Sequence, residues 1–228
     1  MPTVVTAPAR PALKTGAGDV VEVHRIFCVG QNYADHVAEM GGDAKSDPPI
    51  FFSKPPSAIV DHGAALPFPP ATNDLHHESE LVVVLAKGGA DIDEADALSH
   101  IYGYAVGNDL TRRDLQAKLK AKGSPWDMAK GFDNSAVIGT VHPVSEVGHP
   151  TTGAIRCLVD GEVRQSGDLA QMIWSVPEII ATLSRLVTLQ AGDIIMTGTP
   201  AGVGPVKPGQ TCVCEIEGLT NASFSYSA

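Results

Sequence analysis

The chain has 228 residues, 43% hydrophobic but only 5% aromatic, with 23 glycines, 17 prolines and a formal net charge of -10. That length and apolar content suffice for one full core, and the wealth of turn formers favours an α+β, mainly β architecture over a helical bundle. The acidic balance argues against a nucleic-acid or anionic-membrane surface, which needs clustered Lys and Arg, and the absence of a signal-peptide pattern or a long apolar stretch leads to the expectation of a cytoplasmic protein.

Residues 1–19, rich in Pro, Ala and Thr, are expected to lie extended over the surface, ahead of a single domain spanning 20–228. Val20 to Val29 reads as one strand that stops at Gly30. The stretch Gln31-Asn32-Tyr33-Ala34-Asp35-His36-Val37-Ala38-Glu39-Met40, closed by Gly41-Gly42, reads as a short helix with a glycine stop. His36 and Glu39 are i and i+3 on it and share a face, which by itself reads as a surface pair on an amphipathic turn. Glycines on both sides would let the segment hinge as a lid. Ile50 to Pro55 is a further strand, and the Pro-rich stretch from Leu66 to Pro70 crosses to the segment with the clearest chemistry.

That segment is His76-His77-Glu78-Ser79-Glu80-Leu81, running into Val82, Val83, Val84 and Leu85. A β-branched apolar run reads as a buried strand, in which side chains at i and i+2 leave one face roughly 7 Å apart. Glu78 and Glu80 therefore point the same way. Two carboxylates at the head of a strand entering the core are costly unless a cation sits between them or one keeps a proton. Hard oxygen donors of this kind suit Mg²⁺, Mn²⁺ or Ca²⁺ better than zinc.

Glu94 to His100 reads as a short helix and Ile101 to Asp109 as a strand, followed by a helix from Thr111 to Lys120. Asp109 has two readings at that junction, helix cap or third carboxylate. Trp126 to Asp133 reads as an ordered loop in which Lys130 is by default a solvated lysine, although its small neighbours would let its stem approach other backbone. A hairpin is expected at Asp160-Gly161, between Ile155 to Val159 and Glu162 to Gln165. An amphipathic helix follows over Val176 to Leu186, started by Ser175 and Pro177. Asp193 to Met196 is a buried strand that empties into Thr197-Gly198-Thr199-Pro200-Ala201-Gly202-Val203-Gly204, a loop whose amides could bind an anionic oxygen. It is not a phosphate loop, because no Gly-Lys-Ser/Thr follows. Thr211 to Glu217 and Ala222 to Tyr226 complete the sheets. Cys28, Cys157, Cys212 and Cys214 lie in apolar segments without a C-x-x-C pair and read as buried thiols.

Taken together, FCVGQNYADHVAEMGG, IFFSKP, LHHESELVVVLAKG, YGYAVGNDLTRRDLQ, SPWDMAKGFDNSAVIG, LVDGEVRQSG and GDIIMTGTPAGVGPV resemble the fumarylacetoacetate hydrolase family, in its acylpyruvase and fumarylpyruvate hydrolase branch. The resemblance runs from about Arg25 to Val206. It implies packed mixed β-sheets in a β-roll with short peripheral helices, assembled as a homodimer. It also implies that Glu78, Glu80 and Asp109 bind Mg²⁺ or Mn²⁺ and that His36 and Glu39 activate water. Lys130, Gln116 and Thr199 are implied as groups acting on the substrate, together with the Gln31-Asn32-Tyr33 stretch. Gln31 departs from the family pattern, where many relatives carry Arg.

The activity so implied is hydrolysis of the carbon–carbon bond of a 2,4-dioxo acid, with fumarylpyruvate giving fumarate and pyruvate. The metal would serve as electron sink and water as nucleophile. Oxaloacetate decarboxylation, and isomerisation or hydration of a related acid, use the same metal chemistry and remain alternatives. So does a catalytically silent metal-binding protein of the same fold.

Overall fold

The apolar run after Glu80 is buried on both faces, which is why it shows no polar alternation. Leu81, Val83 and Leu85 face one core, packed with Phe27, Val106, Ile155 and Ile195, while Val82 and Val84 face a second, packed with Ile26, Cys28, Ala105, Ile194 and Met196. The computed structural model describes residues 4–6, 8–39 and 48–228, so the expected last residue of the lid helix, Met40, and its glycine stop lie outside the described residues. Among the described residues no helix is long and apolar enough to cross a membrane.

The architecture is α+β. Ser79–Leu85 is a central strand of an eight-stranded mixed sheet, which runs Ile50–Lys54, Arg25–Gly30, Asp193–Met196, Ser79–Leu85, Ile101–Asp109, Ala136–Ile138, Ile59–Asp61, with His142–Pro143 also pairing on Ile101–Asp109. Two pairings are parallel, Asp193–Met196 with Arg25–Gly30 and Ala136–Ile138 with Ile59–Asp61. A five-stranded sheet packs across the first core, in the order Glu162–Asp168, Ala154–Val159, Thr211–Ile216, Ala222–Tyr226, Ala64–Leu66. A small third sheet joins Thr111–Arg112, Leu75–His77 and Gly204–Pro205.

Several expected elements form with their expected bounds. Ile101–Asp109, Asp193–Met196, Ala222–Tyr226 and the helix Val176–Leu186 do so, the last closed by a capping box between Ser175 and Glu178. The hairpin at Asp160-Gly161 places both turn residues at positive φ (51° and 81°), as a two-residue primed turn requires. Other elements differ. Val20 to Val29 is split into Val20–Glu22 and Arg25–Gly30, because Val23 and His24 donate to carbonyls of Pro11 and Gly192 outside the sheet. The N-terminal segment is extended but not confined to the surface. Ala12–Lys14 pairs antiparallel with Val20–Glu22, and Leu13 sits in the second core.

The helix expected from Thr111 starts at Arg113 instead, since Thr111 and Arg112 pair with His76 and Leu75. The loop from Trp126 contains a short helix, Asp127–Lys130.

Candidate metal centre and active-site cleft

One oxygen from each of Glu78, Glu80 and Asp109 lies within 4.8 Å of the others, and all three residues are buried. Strand register brings them together. Glu80 pairs with Gly107 and Ser79 with Asn108 on antiparallel neighbours, so the head of one strand meets the end of the other. Gly107 allows the close approach: a Cβ there would stand 2.5 Å from Val82 Cγ2. Glu78 is not part of the same strand as Glu80. The chain breaks at Glu78 between Leu75–His77 and Ser79–Leu85, which belong to different sheets. The break is held by Asn108 Oδ1, which accepts from Glu78 N at 3.0 Å, and by Asp109 N, which donates to Glu78 O at 2.9 Å.

Cations answer this buried negative charge, and the Lys130 Nζ donates to Glu78 Oε2 and Asp109 Oδ2 at 2.7 Å each. Lys54 Nζ lies 2.7 Å from Asp109 Oδ1, and Arg113 Nη2 donates to Glu78 Oε1. Burial alone would push the Glu78 carboxyl up, but Lys130 and Arg113 outweigh it and hold it far below the usual carboxylate range. Burial would likewise lower the Lys130 ammonium, yet Asp109 and Glu78 raise it. Among the described residues Glu80 pairs with no such cation. Its Oε2 accepts from Gly198 N at 2.8 Å, and burial, reinforced by the charges of Asp109 and Glu78, pushes its carboxyl well above the ordinary range.

The set fits a hard divalent ion. Asp109 Oδ1 is buried against Lys54 Nζ, which also donates to the carbonyls of Leu110 and Lys130. Three buried carboxylates converge within reach of one ion, and the crowding of Asp109 and Glu78 makes the third, Glu80, costly to ionise without a further cation. Asp109 does not cap the following helix; its side chain belongs to this cluster.

A cleft of about 460 Å³, including its open mouth, reaches the cluster at Glu78. It is lined by Gln31, His36, Glu78, Gln116, Lys130 and Thr199, with Phe52, Arg113, Lys120 and Trp126 among the remaining walls. His36 is buried, on the helix Ala34–Glu39, with Nδ1 3.2 Å from Glu39 Oε2. The same Glu39 oxygen accepts from Gly202 N at 3.2 Å, tying this helix to the glycine-rich loop. That loop does bind anionic oxygens, those of the protein's own Glu80 and Glu39.

Lys130 is 2% exposed and thus not a solvated lysine. Gln116 is buried with Oε1 accepting from Arg113 Nη1, and Thr199 Oγ1 accepts from Gln165 Nε2 at 2.8 Å. Gln31 holds a left-handed φ of 60° on the cleft wall. Its two neighbours do not line this cleft. Asn32 directs its side chain to Trp174 and Thr197, clamping the Met196 loop, and the buried Tyr33 faces a separate hollow with Ser166, Gln171 and Pro200. Lys54, Arg113, Lys120, Phe52 and Trp126 were not singled out by the sequence reading. Only Arg113 carried a local signal, the i, i+3 spacing to Gln116.

A family model described as fumarylacetoacetate (FAA) hydrolase C-terminal matches residues 25–224. The structure of fumarylpyruvate hydrolase from Pseudomonas aeruginosa in complex with Mn²⁺ and pyruvate is similar at a TM-score of 0.96 and 44% identity, covering 99% of each chain. The mitochondrial oxaloacetate decarboxylase of Dictyostelium discoideum is 42% identical over 86% of this chain and 89% of its own. The mitochondrial oxaloacetate tautomerase FAHD1 of Homo sapiens is 43% identical over 87% of this chain and 90% of its own.

Proposed function

The chain belongs to the fumarylacetoacetate hydrolase family, and from that premise we propose that it hydrolyses the carbon–carbon bond of acylpyruvates, with fumarylpyruvate cleaved to fumarate and pyruvate. The observation that carries this reading is His36, held by Glu39, on the wall of the cleft that also exposes Glu78 of the carboxylate cluster. Decarboxylation and tautomerisation need no nucleophile from water; hydrolysis does. Similarity to the Pseudomonas enzyme over both whole chains supports the same choice.

Glu78, Glu80 and Asp109 would hold Mg²⁺ or Mn²⁺, which when bound supplies Lewis-acid polarisation of the 2-oxo acid end of the substrate. With Nδ1–H donated to Glu39, His36 keeps Nε2 as an acceptor facing the cleft. It takes a proton from water as the oxygen attacks the acyl carbonyl at C4, and Glu39 steadies the imidazolium. The C3–C4 bond then breaks, its electron pair passes to the pyruvate fragment, and His36 returns the proton to C3. Lys130 directs two of its three N–H groups to Glu78 and Asp109, which leaves one for a substrate oxygen beside Gln116 and Thr199.

The test compares two reactions in one site. In Mn²⁺-loaded enzyme, His36→Ala should lower acylpyruvate cleavage by a factor of roughly 10²–10⁴, the usual worth of a placed general base. Metal content should persist, and any oxaloacetate decarboxylation should fall far less. Near-wild-type cleavage by His36→Ala would overturn the assignment. A second reading, oxaloacetate as substrate, is favoured by the identity to the decarboxylase and tautomerase. A specificity constant for oxaloacetate far above those for fumarylpyruvate and acetylpyruvate would establish it instead.

A further inference from the structure

Arg113, Gln116 and Lys120 line the cleft together because they stand at i, i+3 and i+7 on the helix Arg113–Ala121 and so share one face. Arg113 is committed to Glu78, Gln116 and His76, and Gln116 is buried against it. Lys120 is exposed, and among the described residues it makes no ion pair. Phe52 and Trp126 line the same cleft, ring centroids 6.0 Å apart in an edge-on pair. Gln31, on the same wall system, brings no charge.

We infer that Lys120 is a specificity residue that receives the distal carboxylate of a long dicarboxylic acylpyruvate, an inference that rests on the function proposed above. The distances agree. Seven residues of helix place Lys120 about 10 Å beyond Arg113 along the axis, and Arg113 marks the carboxylate cluster where the 2-oxo acid end is held. The far carboxylate of fumarylpyruvate lies roughly 8 Å from its C1, six extended carbon–carbon bonds away. A flexible lysine stem bridges the remainder. Oxaloacetate, with only three such bonds, ends roughly 4 Å from C1 and stops short of Lys120. The fumaryl segment between the two ends is flat and conjugated, which suits the aromatic wall formed by Phe52 and Trp126. The helix therefore works as a ruler, with a cation at its outer mark.

The test measures kcat and KM for fumarylpyruvate and for acetylpyruvate, whose tail is an uncharged methyl, in Mn²⁺-loaded wild type, Lys120→Gln, Lys120→Glu and Lys120→Arg. The fumarylpyruvate-to-acetylpyruvate ratio of kcat/KM should fall about tenfold in Lys120→Gln, the scale of one charge-assisted hydrogen bond at a wet rim. It should fall further in Lys120→Glu and return in Lys120→Arg, with the change in KM more than in kcat. A ratio in Lys120→Gln within about twofold of wild type overturns the inference while leaving the proposed function standing. A wild-type enzyme that cleaves neither acylpyruvate overturns the proposed function, and the tail assignment falls with it.

Discussion

Two clusters of three like groups are buried on either side of Asn108, and they are held by opposite means. Glu78, Glu80 and Asp109 form one; Cys157, Cys212 and Cys214 form the other, and in each the donor atoms lie within 4.8 Å of one another. Asn108 touches both, accepting from Glu78 N and donating Nδ2 to Cys212 Sγ and Cys214 Sγ at 3.4 and 3.2 Å. The thiols sit on adjacent antiparallel strands, Cys157 opposite Cys214, inside the core that contains Ile155, Val159 and Phe224. Sulfur packs among apolar side chains there, and the thiols meet one another, Cys157 Sγ lying 3.4 Å from Cys212 Sγ and 4.0 Å from Cys214 Sγ. The carboxylates draw in Lys54, Lys130 and Arg113, yet among the described residues none of these pairs directly with Glu80, whose carboxyl is pushed up. Proximity of donors is thus shared by both clusters; what distinguishes the candidate metal centre is hard anionic oxygen packed so closely that one carboxyl, Glu80, is disfavoured as a charge by its two neighbours.

Removing one member of each cluster should break the symmetry most visibly on the carboxylate side. Glu80→Ala should lower Mn²⁺ affinity and turnover by more than roughly 100-fold, the range reached by removing groups that merely orient a ligand. The fold should survive, because the lost carboxyl is the one its neighbours disfavour. Calorimetric titration with Mn²⁺ checks this, and wild-type uptake of one ion per chain would remove Glu80 from the site.

Next in size is the loss of a compensating cation. Lys130→Met leaves Glu78 and Asp109 facing each other with less positive charge, and should destabilise the metal-free protein by about 3–5 kcal/mol. Saturating Mn²⁺ should restore part of that loss, since the ion supplies the missing charge. Urea unfolding with and without Mn²⁺ reads both numbers; an unchanged midpoint in metal-free protein would mean the carboxylates are not balanced by Lys130.

A smaller effect comes from pH. His77 lies beside the carboxylate strand with Nδ1 on Gln165 Oε1 at 3.0 Å, and burial lowers its pKa. The unfolded chain therefore binds a proton at higher pH than the folded one. Stability from His77 is full above the ordinary imidazole value of about 6.5 and is lost as pH falls below it, by at most about 1.4 kcal/mol per pH unit. His77→Gln should flatten that part of the unfolding profile. The smallest expected change is Cys212→Ala, about 1 kcal/mol of stability with turnover retained, since Cys214 still accepts from Asn108. A large loss of activity in that variant would mean the two clusters are coupled more tightly than packing requires.

Elements built on local pattern were legible in the sequence. The Val82–Leu85 run, the Asp160-Gly161 turn and the Ser175-capped helix all follow from residues within a few positions of each other. The carboxylate trio was legible too, because two of its members are separated by a single residue. Its geometry was not: periodicity gives an unbroken strand through Glu78, whereas the hydrogen bonds that Glu78 gives to Asn108 Oδ1 and accepts from Asp109 N, some 30 residues away, hold a break there. Lys130 looked solvated for the same reason. Its partners lie 52 and 21 residues distant, and nothing adjacent to it announces them. Asn32, next to a residue of the cleft wall, proved to be a clamp on Trp174, 142 residues on.

The parallel pairing of Asp193–Met196 with Arg25–Gly30 sets the order in which the protein can be completed. It joins residues 168 positions apart, and the same strand then covers the free edge of Ser79–Leu85. Until it docks, that strand, apolar on both faces, has one edge open, Glu80 lacks the amide of Gly198, and Glu39 lacks that of Gly202. At a synthesis rate of about 5–20 residues per second the exposed edge waits on the order of ten seconds for its partner, a window in which it can pair with a neighbouring chain instead. Tight ion capture belongs to the end of folding, so the fraction of chains retaining Mn²⁺ during refolding would count finished molecules rather than collapsed ones.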